Sequence, residues 1–148
     1  MKSNFLPPTW FLMALLLSIL LNFLLPVSKF IPLPYRLLGI IFIVFGAVLN
    51  LWADAMFKKS QTTVKPHELP TALETSGPFR ISRHPMYLGM AVILLGLAIG
   101  FGSLTPFIVP IAFIVLMEIK FIAIEEKNLE SAFGEKYVEY KDRVRRWI

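Results

Sequence analysis

Four apolar stretches take up most of this chain, at about 9–28, 34–57, 86–102 and 104–124. A helix that crosses the hydrocarbon layer of a bilayer needs about 20 mostly apolar residues, and these runs have that order of length. The predicted fold is therefore an all-α integral membrane protein forming a single domain over residues 1–148. It has four transmembrane helices, the last two a tight hairpin, followed by a C-terminal amphipathic helical tail (125–147) at the cytoplasmic face. A composition of 56% hydrophobic and 17% charged residues agrees, since a soluble core of this size has no use for so much contiguous apolar sequence.

Punctuation sets the boundaries. Pro7 and Pro8 open the first run, and Pro26 and Lys29 close it. A signal peptide would carry a small-residue cleavage site; none is clear here and a second apolar run follows at once, so a membrane helix is expected. The second run ends in Asn50, Trp52 and Asp54, with Asn50 and Asp54 four apart on one face. Gly39, Gly46, Gly96 and Gly100 are spaced for close helix approach. Pro106 suits a helix start, and Pro110 is expected to bend the fourth helix.

Lysine and arginine near helix ends set the orientation. Lys58, Lys59, Lys65, Arg80 and Arg83 fall in one connection and Lys127, Lys136, Lys141, Arg143, Arg145 and Arg146 in the tail, so both are expected in the cytoplasm. Only Lys29 and Arg36 occupy the first connection, and the 102–105 turn is uncharged. An even number of crossings puts both termini on the cytoplasmic side. This distribution explains the net charge of +5 better than nucleic-acid binding does. In the tail, Leu129, Phe133, Tyr137, Tyr140, Val144 and Trp147 recur at helical spacing, interrupted by Gly134.

The absence of cysteine removes disulfides, thiolate catalysis and cysteine-based metal sites. The two histidines, His67 and His84, stand in no HExxH frame, so no structural metal is expected. What remains is the stretch GPFRISRHPMYLG (77–89) and the pair Glu125–Glu126, which the topology brings to the same side of the membrane. Pro85 holds His84 and Arg83 at the start of the third helix, where free N–H groups give positive potential. Tyr87 and Gly89 follow on the first turn, Gly89 leaving room for a ligand. The stretch reads equally well as an interfacial anchor. Glu118 lies about 10 Å inside its run, where an ionisable group needs a partner, and shares a helical face with Glu125.

RHPMYLG at 83–89, preceded by TSGPF at 75–79 and followed after a helical hairpin by EEKNLESAFGEKYVEYKDRVRRW at 125–147, resembles the isoprenylcysteine carboxyl methyltransferase family and the related membrane phospholipid N-methyltransferases. The resemblance implies a multi-pass membrane methyltransferase that binds S-adenosylmethionine without a Rossmann domain. Carried over by motif, Gly77, Phe79, His84, Tyr87 and Gly89 would line the cofactor pocket. Glu125 would hold the methionine ammonium, with Glu126 beside it. Glu139, Arg143 and Arg146 of the tail would orient a lipophilic acceptor entering from the bilayer lipids. An arginine at the acceptor would point to carboxyl methylation, a free Glu139 or Glu118 to amine methylation. A sterol-type reductase using NADPH and a non-catalytic scaffold or transporter are the competing readings, and oligomeric state stays open.

Overall fold

The computed structural model describes residues 6–62 and 68–148, and among these every regular element is helical. Lys65 and His67 lie outside the described residues. Helices α1 (Pro7–Leu24), α2 (Leu33–Arg36) and α3 (Leu38–Lys59) precede a short 3₁₀ turn at Gly77–Arg80. Then come α4 (Pro85–Phe101), α5 (Ile108–Met117), α6 (Ala123–Phe133) and α7 (Glu135–Arg143). Among the described residues, three stretches are long and apolar enough to cross a membrane: Pro7–Leu24, Leu33–Lys59 and Thr105–Phe133. The apolar helix α4 has 17 residues, about 26 Å at 1.5 Å each and short of the full hydrocarbon thickness.

α1 begins on Pro7 and Pro8 but stops at Leu24, short of the expected 28. The cause is Pro26, which disfavours helical backbone at the residue before it; Leu25 sits at φ −135°, ψ 61°. The connection that follows lies against the turn after α4. Phe30 and Ile31 donate backbone N–H groups to the Gly102 carbonyl at 3.1 and 3.3 Å, and Leu104 donates to Val27 at 3.1 Å. The Ser103 hydroxyl reaches back to Asn22 Oδ1 of α1 at 2.8 Å. The two connections read from sequence as lying on the far side therefore do share one end of the bundle.

α4 is the hub. On one side it meets α3 through glycines: a Cβ added to Gly96 would stand 2.6 Å from the Gly39 carbonyl, and one on Gly46 would stand 2.8 Å from Ile93 Cγ1. Such contacts let the two backbones touch directly. On the other side Met90 and Leu94 pack with Val109, Phe113 and Met117 of α5, and Trp10, Phe11 and Ala14 of α1 close over them. The outward faces are apolar and bare, with Leu12, Leu16 and Phe23 on α1 and Ile41, Val44, Phe45 and Val48 on α3 all exposed. A soluble monomer rarely shows so large an apolar surface, whereas lipid tails cover it without cost.

The structure adds two features to the last apolar run. Pro110 stands in the first turn of α5, where backbone N–H groups have no intrahelical acceptor to lose. An irregularity comes later, as a π-helical turn at Glu118–Ile122. The helix does not end at 124: it continues through Glu125 and Glu126 to Phe133, since nothing there interrupts it before Gly134, whose φ of +52° breaks the chain into α7.

Candidate active site

Pro85 occupies the first position of α4, so His84 becomes its N-cap in a non-helical conformation. The imidazole is buried between the two adjacent glutamates of α6: Nδ1 lies 3.2 Å from Glu125 Oε2, and Nε2 lies 3.4 Å from Glu126 Oε1. Tyr87, one turn along α4, stacks on His84 with ring centroids 5.8 Å apart and donates its hydroxyl to Glu125 Oε1. Burial favours neutral histidine, but hydrogen bonds and charge from Glu125 and then Glu126 outweigh it and hold the His84 pKa above its ordinary value.

Glu126 is the centre of a clasp. Its side chain is only 8% exposed and accepts from Arg83 Nη2 at 2.8 Å and from Arg146 Nε and Nη2 at 3.0 and 2.5 Å. Arg146 also pairs with Glu118, whose second oxygen accepts Trp147 Nε1–H at 2.8 Å. Glu118 thus has the partner its depth demands, but on the face of Glu126 and not of Glu125. The π turn inserts one residue between them, which moves the shared face from i+7 to i+8. With His84 protonated, three cations meet three carboxylates and the cluster is neutral.

The tail is docked on the 77–84 stretch, not splayed on the surface. The Tyr140 hydroxyl donates to the Phe79 carbonyl at 2.6 Å, Arg83 N–H to Arg145 O at 3.0 Å, the Ser82 hydroxyl to Arg146 O at 3.0 Å, and Arg83 Nη1 to Lys141 O at 3.1 Å. Tyr137 and Tyr140 are buried, and burial, with the nearby Glu126, pushes the Tyr137 phenol up to about 12.

These elements enclose a largely apolar cavity of about 180 Å³. Its walls come from the start of α1 (Leu6, Pro7, Pro8), the end of α3 (Phe57), the 68–79 connection, the start of α4, α6 and α7. Of the residues expected at a cofactor pocket, Phe79, His84, Tyr87 and Glu125 line it. Gly77, Gly89 and Glu126 do not. Gly77 takes φ +55° against the Trp52 ring, and Gly89 is filled by Asn50 and Gly46 of α3, so it serves helix packing and leaves no room for a ligand. Glu139 and Arg143, expected at the acceptor, pair weakly with each other at 3.9 Å on the outer face of α7, each 74% exposed. Arg146 is spent in the clasp.

Tyr137, Tyr140, Glu74 and Asn128 line the cavity without having been singled out as ligand-facing. The tyrosines stood in a helical apolar stripe that reads as packing, and Glu74 sits in a connection without a motif.

A phospholipid methyltransferase family model matches residues 35–136, well over half of the chain. The chain belongs to the phospholipid methyltransferase family. That family includes isoprenylcysteine carboxyl methyltransferase-like membrane methyltransferases, so the resemblance carried by RHPMYLG and the acidic pair is borne out. The matched span contains the cavity-lining residues of α3, α4 and α6. An uncharacterized protein of Haemophilus influenzae is 41% identical over 63 residues, a stretch covering 43% of this chain and all of that protein. No solved structure matches the chain. Family membership together with three membrane-length helices supports an integral membrane methyltransferase.

Proposed function

We propose that the chain is an S-adenosylmethionine-dependent methyltransferase that receives its cofactor from the cytoplasm and a lipophilic acceptor from the bilayer. In this reading α4 is the third of four crossings, and both termini are cytoplasmic. The observation that carries it is the fixed carboxylate of Glu125, held by Tyr87 and His84 in the wall of an apolar cavity. The lining suits a cationic ligand: Glu125 and the clamped Glu74 present carboxylates to the cavity, and Arg83 turns its charge to Glu126. Glu125 would take the ligand's ammonium, and its two partners would keep it aimed. S-adenosylmethionine would supply a methyl group on a sulfonium, transferred by in-line displacement. Positioning and exclusion of water are then the protein's main tasks. The docked tail serves the second, since Tyr137 and Tyr140 close one wall.

The acceptor expected from the resemblance is an isoprenylcysteine-type carboxylate. The alternative is an amine acceptor: neither Arg143 nor Arg146 reaches the cavity, and the base would then be a carboxylate of the lining, since Glu118 is paired with Arg146 and Glu139 lies on the outer face of α7. The test is to incubate the protein in lipid vesicles with methyl-labelled S-adenosylmethionine and lipid extract. Label entering the organic phase is expected; release of that label as methanol by mild alkali identifies an ester, and retention an amine product. No incorporation by folded protein with any lipid or isoprenylcysteine acceptor would refute the reading.

A further inference from the structure

The cavity wall contributed by the connection between α3 and α4 carries a carboxylate that the proposed ammonium contact leaves unused. Glu74 stands in the connection between α3 and α4, and that connection is tied to the end of α3. Thr71 and Ala72 donate backbone N–H groups to the Thr62 hydroxyl at 3.2 and 3.3 Å, and the Thr71 hydroxyl donates to Gln61 O at 3.1 Å. Glu74 itself is clamped: Ser76 donates its N–H at 2.9 Å and its hydroxyl at 2.5 Å to Oε1, and the Ser60 hydroxyl donates to Oε2. Burial alone would raise its pKa, but the hydrogen bonds from Ser60 and Ser76 win and keep it below the usual carboxylate range.

The clamp fixes Glu74 without burying it. The residue keeps intermediate exposure and lines the cavity beside Thr62, Ala72 and Leu73. Phe57, partly exposed and packed edge-to-face on Phe79 at 4.9 Å, belongs to the same wall and offers a flat apolar surface. A rigid anionic acceptor with one site still open, in a wall that also holds an aromatic face, suits a nucleoside: a ribose hydroxyl donates to the carboxylate while the base lies on the ring.

We propose that Glu74 accepts a hydrogen bond from a ribose hydroxyl of the cofactor on Oε2, with Phe57 beside its base. This rests on the reading of the cavity as an S-adenosylmethionine site and assigns the nucleoside to the α3 wall and the amino-acid end to the α4–α6 wall. It makes the 68–76 connection a specificity element for a ribonucleoside.

The test is calorimetric titration of the detergent-purified full chain with S-adenosylhomocysteine and with its 2′,3′-dideoxy analogue, for wild type and Glu74→Gln. Wild type is expected to prefer the hydroxylated ligand, and Glu74→Gln to weaken that ligand about tenfold, the scale of one hydrogen bond to a charged group, while changing the dideoxy ligand less than twofold. Equal weakening of both ligands would reduce Glu74 to a structural clamp and overturn the proposal, as would a wild type blind to the hydroxyls. Should Glu74→Gln fail to fold, Glu74→Asp, which withdraws the carboxylate by one methylene, is judged by the same comparison. Failure of wild type to bind S-adenosylhomocysteine at all would instead refute the cofactor reading on which this one stands.

Discussion

Replacing Arg146 with glutamine removes the cation that joins the tail to the membrane helices. Glu126, 8% exposed, loses its closest partner and keeps only Arg83 and His84; Glu118, 35% exposed, keeps only Trp147. Stripping a partner from a buried carboxylate costs about 3–5 kcal/mol when nothing else compensates, and Arg83 reduces that to about 2 kcal/mol here. The Glu118 half is solvent-screened and contributes about 0.5 kcal/mol. For a chain of this length each kcal/mol moves the melting temperature by roughly 2–4 °C, so a fall of roughly 5–10 °C is expected in a detergent thermal melt. Arg143→Gln, on the exposed face of α7, is the control and should shift it by about 1 °C at most. A melt for Arg146→Gln indistinguishable from that control would refute the clasp.

Stability should depend on pH through His84, whose pKa is raised on folding: the contribution is complete below its unfolded value of about 6.5 and is lost as pH rises through the higher folded value. Melting temperature should therefore decline as pH rises above about 6.5, and a His84→Gln variant should show a flatter profile over that range. Gly89→Ala should destabilise the α3–α4 contact by about 1–3 kcal/mol through collision with Asn50 and Gly46, read as a lower melting temperature; reduced cofactor affinity at unchanged stability would restore Gly89 to the pocket. Glu139→Gln and Arg143→Gln should leave methyl transfer within about twofold of wild type, because neither side chain reaches the cavity; a large loss in a transfer assay would return them to the acceptor site.

The apolar runs, the glycine contacts and the meeting of His84, Tyr87 and Glu125 were legible in the sequence because each rests on local chemistry. Proline and glycine mark helix ends, and a proline after His84 holds it at one. Three other features were not. The π turn at Glu118–Ile122 lies in a run apolar on nearly every face, where no periodicity reveals an inserted residue. The Arg146 clasp joins positions 20 and 28 residues apart, and a basic tail looks the same whether its arginines meet solvent or carboxylates. Gly89 stands in the motif beside ligand-facing residues, yet it points to α3, since helical neighbours two residues apart face in different directions.

Isothermal titration of the detergent-purified protein with S-adenosylhomocysteine, run beside Glu125→Gln, decides whether the cavity is a cofactor site. Wild type is expected to bind saturably, and the variant about tenfold or more weakly through loss of a charge-assisted contact to the ligand ammonium, with both proteins folded. Absence of binding by folded wild-type protein, or equal affinity in the two proteins, would contradict the cofactor reading.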